Sequence, residues 1–281
     1  MKSQEAIDVF YERIGSGYPV LCAFGWDVLG AAEFGKLLPT TSKGRSLIVP
    51  HYRGGGRNHP DPDIAHSVRL YALDYLKVLD REGVSRAHVV GMGGMGACTM
   101  MELAILAPER VTSAVLHQGW AAVDTSLRWQ LRALRNLREH VGFDEYQEAA
   151  AALCFSPEYI ERHSTELRTS AWAGMRDRKA THLGFIDACL AHDVRARLDQ
   201  IKAPCLLVTG DELDIMTGSR LLAELVAGIT DVRSHVIERA GHARFMEEPR
   251  VAEELDAVFA EFVSVYEDVE HGGVPGRTRK S

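Results

Sequence analysis

The sequence predicts an α/β protein, a mostly parallel sheet with helices on both faces, interrupted by an all-helical insertion. Three observations carry this. Through the first two-fifths of the chain, short apolar runs alternate with amphipathic stretches. No strand-like run occurs over residues 119–198, where tryptophan, arginine and alanine recur at helical spacing. Two further strand-helix units follow that stretch. Alternation of this kind buries a parallel sheet beneath helices on either side.

The elements follow in order. Residues 19–25 form a short apolar run ended by Gly25, a buried strand feeding a loop. Residues 46–50 are a second strand. Ile64, Val68, Tyr71, Tyr75 and Leu79 recur every three or four residues, the pattern of an amphipathic helix, and Gly83 is its stop. A third strand over 87–91 runs straight into a glycine-rich turn. A helix over 97–106 then ends before Pro108, and 112–117 is a fourth strand. After the helical insertion, strands resume at 205–210 and 234–237, each followed by a helix. Residues 271–281 are rich in Gly, Arg and Lys, lack apolar periodicity, and read as a disordered tail.

Composition bounds the function. The 281 residues are 46% hydrophobic and 25% charged, which suits a globular core needing no disulfide or metal staple. A net charge of −7, with no long basic stripe, argues against a nucleic-acid partner. The cluster Arg176-Asp177-Arg178-Lys179 is interrupted by an acid. Cys22, Cys98, Cys154, Cys189 and Cys205 lack CxxC spacing and mostly have apolar neighbours, as buried free thiols do. No run approaches the roughly 20 apolar residues of a membrane span, and the N-terminal residues lack a signal-peptide core. A cytoplasmic protein is expected, with no membrane contact, metal or cofactor. The sequence does not encode a readable oligomeric state.

Three segments carry the chemistry. The first is Phe24-Gly25-Trp26-Asp27. The second is Pro50-His51-Tyr52-Arg53-Gly54-Gly55-Gly56-Arg57-Asn58. The third is Val89-Val90-Gly91-Met92-Gly93-Gly94-Met95-Gly96, followed by Glu102-Leu103-Ala104 and Pro108-Glu109-Arg110-Val111. Together, in this order and spacing, they resemble the α/β-hydrolase family over nearly the whole chain. The resemblance implies a mostly parallel central sheet flanked by helices, with a helical cap inserted over the pocket. The expected division is core over 1–118 and 199–266, cap over 119–198, and a disordered tail over 267–281.

The third segment resembles the family's nucleophile elbow, a sharp strand-to-helix turn that demands small residues. Alignment from the strand puts Gly93 at the nucleophile position; alignment back from Glu102-Leu103-Ala104 puts Gly94 there. Either way the position holds glycine, with no Ser, Cys or Asp within one residue. The other triad members have counterparts. Residues 206–214 resemble the strand and loop that carry the acid, with Asp214 preferred and Asp211 the alternative. Ala240-Gly241-His242, followed by Met246-Glu247-Glu248-Pro249, resembles the loop of the catalytic histidine.

An acid held against imidazole fixes its tautomer and stabilises the imidazolium, so such a pair is useful without serine. The expected function is therefore general acid/base catalysis by His242 and Asp214 on a small, partly apolar carbonyl compound. Backbone groups at Gly25, Trp26 and Met95 would hold a developing oxyanion. Water-mediated hydrolysis, lyase and isomerase chemistry all fit. The alternative is a non-catalytic pseudo-hydrolase that binds a small ligand or a protein partner. N-myc downstream-regulated relatives, which share this fold, have a similar glycine-rich elbow without serine.

Other residues carry two readings. Trp120, Trp129, Trp172 and Met175 fall in the cap, as core or as pocket wall. His51, where the family usually has aspartate, is a structural loop residue or touches ligand. Cys98 and Cys22 are buried thiols or substitute nucleophiles. Arg128, Arg132 and Arg135 read as a solvated helix face.

Overall fold

The computed structural model describes residues 5–27, 29–169 and 175–270. Among these, seven strands form one sheet: β1 (Tyr11–Gly15), β2 (Tyr18–Ala23), β3 (Arg45–Pro50), β4 (Ala87–Gly91), β5 (Val111–His117), β6 (Cys205–Gly210) and β7 (Val232–Ile237). Their spatial order is β1-β3-β2-β4-β5-β6-β7, and every pairing is parallel except β1 with β3. The sheet and its flanking helices give the α/β-hydrolase fold that the sequence predicts. Strand β1 is not among the predicted runs. It is an edge strand carrying Glu12 and an exposed Arg13, so it lacks the apolar signature of the strands behind it.

The inner strands β2 to β6 are buried on both faces, and because successive side chains face opposite ways they feed two cores. Leu21 and Ala23 of β2, Ala114 and Leu116 of β5, and Cys205 and Leu207 of β6 join one core. Their neighbours Val20, Cys22, Val115, Leu206 and Val208 join the other. The first core is covered by α3 (Val68–Arg81) and α4 (Met95–Leu106); eleven residues of α4 are buried, which explains its nearly unbroken apolar sequence. The second is covered by α1 (Ala31–Leu37), α2 (Pro39–Ser42) and α11 (Pro249–Glu270), with α9 (Leu222–Gly228) and α10 (Arg244–Glu247) preceding the last. Residues 267–270, expected to belong to a disordered tail, instead complete α11, and Glu267 pairs with Arg45 of β3. Residues 271–281 lie outside the described residues.

Between β5 and β6 the described residues form α5 (Thr125–Asn136), a π-helical turn (Leu137–Val141), α6 (Phe143–Cys154), α7 (Pro157–Thr169) and α8 (Lys179–Ala191). Asp124 starts α5 by accepting a hydrogen bond from Leu127 N at 2.7 Å. Arg135 does not belong to a purely solvated face, because its guanidinium bonds Asp187 of α8. Trp129 points outward, 70% exposed. Trp172 lies outside the described residues. The helical segment is fastened to the core at the α6–α7 joint: Ala243 N donates to Cys154 O at 2.9 Å, and Ser156 bonds the Glu247 carboxylate through its N–H and hydroxyl.

The chain passes from β2 outward to β3, then returns to place β4 on the other side of β2. A strand order that reverses in this way opens a crevice at the strands' carboxyl ends, where ligands of α/β proteins bind. The loops following β2 and β4 meet there.

Candidate active site

The turn after β4 is built from glycines that cannot be replaced without strain. Gly93 and Gly94 have φ of +66° and +67°, in the region L side chains rarely adopt. Gly94, with ψ of −81°, immediately precedes the first residue of α4, and its carbonyl accepts from Cys98 N. A β-carbon on Gly94 would lie 2.7 Å from Trp120 Cζ3 and 3.2 Å from Cη2, so the indole fills that space. A β-carbon on Gly93 would instead meet Gly25 N at 3.2 Å.

The loop after β2 packs against this turn backbone to backbone. A β-carbon on Gly25 would fall 2.2 Å from Gly93 O, which only glycine avoids. The next residue, Trp26, takes a left-handed conformation with φ of 56°, and its indole packs against Tyr146 of α6 and His182 of α8. Met95 opens α4, where backbone N–H groups lack helical partners and the helix dipole presents its positive end. Trp26 and Met95 line one cavity together with Gly93 and Gly94.

His242 borders the same cavity. Its Nδ1 lies 3.3 Å from Asp214 Oδ1 and 3.0 Å from Thr217 Oγ1. Asp214 is fully enclosed, 1% exposed, and its carboxylate is saturated with donors. Oδ1 accepts from Met216 N at 3.0 Å and Thr217 N at 2.9 Å; Oδ2 accepts from Thr217 Oγ1 at 3.0 Å and Gln118 Nε2 at 3.1 Å. Burial alone would raise the Asp214 pKa, but the His242 charge and these hydrogen bonds outweigh it and hold the carboxyl at about 2. Because Thr217 Oγ–H is given to Asp214, the hydroxyl oxygen faces His242 as an acceptor. Both neighbours therefore favour a proton on Nδ1 and leave Nε2 as the free base. Asp211 serves the loop instead: it accepts from Leu213 N and Arg239 N, bracing the backbone around the acid.

Gln118 and Thr217 are the members that sequence reasoning missed. Gln118 follows β5 in a left-handed conformation, φ 64°, and also donates to His242 O at 2.7 Å. Nothing in its sequence context announces this. Thr217 had a signal, since Asp214-Ile215-Met216-Thr217 places a hydroxyl three residues after an acid, the spacing of an acid-capped turn.

The cavity holds about 120 Å³ and is walled mostly by carbon, with Phe24, Leu131, Phe143, Tyr146 and Met216 among its lining. A cavity of roughly 150 Å³ accommodates benzene, so this one is of small-molecule size. Trp120 and Met175 are part of the wall. A more polar groove, with Arg239 and Glu248 on its sides, also reaches His242. His51 is not brought to the cavity: its Nδ1 accepts from Arg57 N and its ring stands edge-on to Phe10. Nor are Cys98 and Cys22, whose thiols are pushed up by burial. The cysteines that do line it are Cys154 and Cys189, and burial pushes both up to about 12, which disfavours the nucleophilic thiolate. Among the described residues no cluster of three or more His, Cys, Asp or Glu could hold a metal ion, and no helix is long and apolar enough to cross a membrane.

Comparison with known proteins bears on the fold. Residues 26–249 match the family model described as the alpha/beta hydrolase fold. A protein from Azorhizobium caulinodans named "Putative carbamate hydrolase RutD" is 30% identical over 250 residues, 88% of this chain and 93% of that one. Two solved structures share the fold at lower identity. One is MGS-M2, an alpha/beta hydrolase enzyme from a Medee basin deep-sea metagenome library, with a TM-score of 0.79 and 17% identity over 97% of this chain and 96% of that one. The other is the enol-lactonase from Burkholderia xenovorans LB400, with a TM-score of 0.77 and 19% identity over 91% of this chain and 96% of that one. The chain belongs to the α/β-hydrolase fold family.

Proposed function

We propose that the chain is an enzyme of this family that works without a serine nucleophile, using His242 and Asp214 as a general acid/base pair on a small, partly apolar carbonyl compound. The observation that carries this reading is the tethering of His242: Nδ1 is turned to Asp214 and Thr217 while the ring borders an apolar cavity. The glycine at residue 94, with the Trp120 ring against it, argues against an acyl-enzyme route.

For hydrolysis, His242 Nε2 takes a proton from water as the water oxygen bonds to the substrate carbonyl carbon. The carbonyl oxygen gathers negative charge, and the N–H groups of Trp26 and Met95 are suited to hold it. Collapse re-forms the carbonyl and breaks the bond to the leaving group, to which His242 returns the proton. Asp214 remains a carboxylate throughout and stabilises the imidazolium. A positioned histidine of this kind contributes roughly 10²–10⁴-fold. A carbamate, named for the Azorhizobium relative, belongs to the same chemical class of small carbonyl compounds.

The test is turnover of a pooled metabolite extract by the purified protein and by its His242→Ala variant, followed by mass spectrometry. Compounds should disappear with the wild type alone, and products whose summed mass exceeds the substrate by one water identify hydrolysis. Products of unchanged summed mass would indicate lyase or isomerase chemistry by the same pair. Equal depletion by both proteins, or a compound that co-purifies with both and is never converted, would sink the catalytic reading and favour a binding protein.

A further inference from the structure

The cap side of the cavity carries polar groups that the chemistry above leaves unused. His182 of α8 is 2% exposed and lines the cavity, its ring edge-on to Tyr146 at 4.4 Å between centroids. Arg138, from the π-helical turn, donates from Nε to His182 Nδ1 at 3.2 Å. A guanidinium has no acceptor atom, so Nδ1 must offer a lone pair and the ring proton must sit on Nε2. Burial, and next the Arg138 charge, push His182 down to about 3, which keeps the ring neutral at ordinary pH. Arg138 itself does not line the cavity; its remaining hydrogen bonds go to the carbonyls of Met175 and Arg176.

Gln147 of α6 lines the same cavity and is also 2% exposed. Its Nε2 donates to Leu167 O at 3.0 Å, which fixes the amide orientation. Its Oε1 is left buried without a hydrogen-bond partner, a costly state in a carbon-walled space unless a ligand supplies the donor.

We infer that His182 Nε2–H and Gln147 Oε1 form a specificity subsite for a neutral substrate group that both accepts and donates hydrogen bonds, such as a carboxamide. The inference deepens the proposed function, because it takes this cavity to be where the substrate binds. A carboxylate fits the pair less well. It would set an oxygen lone pair against Gln147 Oε1, and neither partner brings a charge to offset its desolvation.

The test reads binding rather than turnover, so it stands or falls apart from the catalytic reading. Affinities of benzamide, benzoate and toluene are measured by calorimetry for the full chain and for its Gln147→Met and His182→Leu variants. Benzamide should bind the wild type more tightly than benzoate. Each variant should lose benzamide affinity by about tenfold or more while keeping toluene affinity. A His182→Gln variant, which retains a donor, should recover part of that loss. In ¹⁵N-histidine spectra of the wild type, His182 should show the Nε2–H tautomer at pH 6, and benzamide should shift that nitrogen. Tighter benzoate than benzamide binding would overturn the inference, as would an Nδ1–H tautomer or failure of every probe to bind the wild type. If the variants do not fold, the wild-type affinities and spectra decide it alone.

Discussion

Trp120 and Gly94 are complementary: the indole Cζ3 stands 2.7 Å from where a β-carbon on residue 94 would be. Glycine and tryptophan are thus coupled choices, one leaving the space that the other fills. Restoring a serine is therefore not a one-residue repair. Gly94→Ser must push the indole aside and hold a side chain at positive φ, costing about 1–3 kcal/mol. We expect a lowered melting temperature and no burst of p-nitrophenol from a p-nitrophenyl ester. Gly93→Ser should likewise give no burst. A stoichiometric burst from either variant would show that the cavity is still shaped for an acyl-enzyme.

Thr217 stands between the acid and the base, giving its hydroxyl proton to Asp214 and lying 3.0 Å from His242 Nδ1. Thr217→Val removes that bridge while keeping the side chain's shape. Its backbone bond to Asp214 is untouched. We expect kcat to fall about tenfold, with KM little changed, because the loss concerns the orientation of His242 rather than substrate contact. Asp214→Asn should cost more, roughly 10²–10⁴-fold, since it removes the charge that stabilises the imidazolium. Equal activity of Asp214→Asn and wild type on the identified substrate would remove the pair from the mechanism.

The fastening of the helical segment to the histidine loop rests on few bonds. Glu247 lies just beyond His242, and its carboxylate receives both the N–H and the hydroxyl of Ser156 as well as Arg244. Ser156→Ala deletes one of these and leaves a mostly buried carboxylate short of a donor, which costs about 1–3 kcal/mol. Hydrogen exchange should quicken locally at the α6–α7 joint and over residues 241–247. Exchange that is unchanged there would mean that the Ser156 hydroxyl adds nothing to the hold already given by the Ser156 and Ala243 backbone N–H groups and Arg244.

Much of this was legible in the residues. Strands β4 and β6 could be read to their end residues because each is an apolar run closed by glycine, and the elbow, the Asp214 loop and the His242 loop announce themselves by local motifs. Contacts across the chain were not legible. Gln118 reaches Asp214 across 96 positions and His182 receives Arg138 across 44, and periodicity has no access to either pairing. The choice between Gly93 and Gly94 likewise depends on backbone angles and on where Trp120 lies. His51 takes the first of its two readings: a residue inside a functional loop motif can still turn inward and serve the loop itself.

Burial of histidines sets how the fold should respond to acid. Burial is the leading cause that depresses His117 to about 3, His182 to about 3 and His192 to about 4, against an ordinary value of about 6.5. In the unfolded chain each takes up a proton as pH falls below about 6.5, whereas in the folded chain each stays neutral until pH 3–4. The unfolded state therefore binds more protons across that window, and folding stability must decline as pH falls through it. Each histidine contributes a slope of about 1.4 kcal/mol per pH unit once the unfolded form is fully protonated, so three give about 4 kcal/mol per unit. Domains are stable by roughly 5–15 kcal/mol, so unfolding is expected before pH 4. Asp214, held at about 2, adds its own loss only as pH nears and passes below its ordinary value of 3.8. Melting temperatures from circular dichroism between pH 7.5 and 4.5 should fall steeply below about 6. His117→Phe is the informative variant: it removes a buried imidazole whose Nδ1 has no hydrogen-bond partner and whose neighbours are Phe245 and Phe259. It should flatten the pH slope by about a third. A melting temperature that stays level from pH 7 to 5 would mean that these histidines are protonated in the fold after all, with water reaching them.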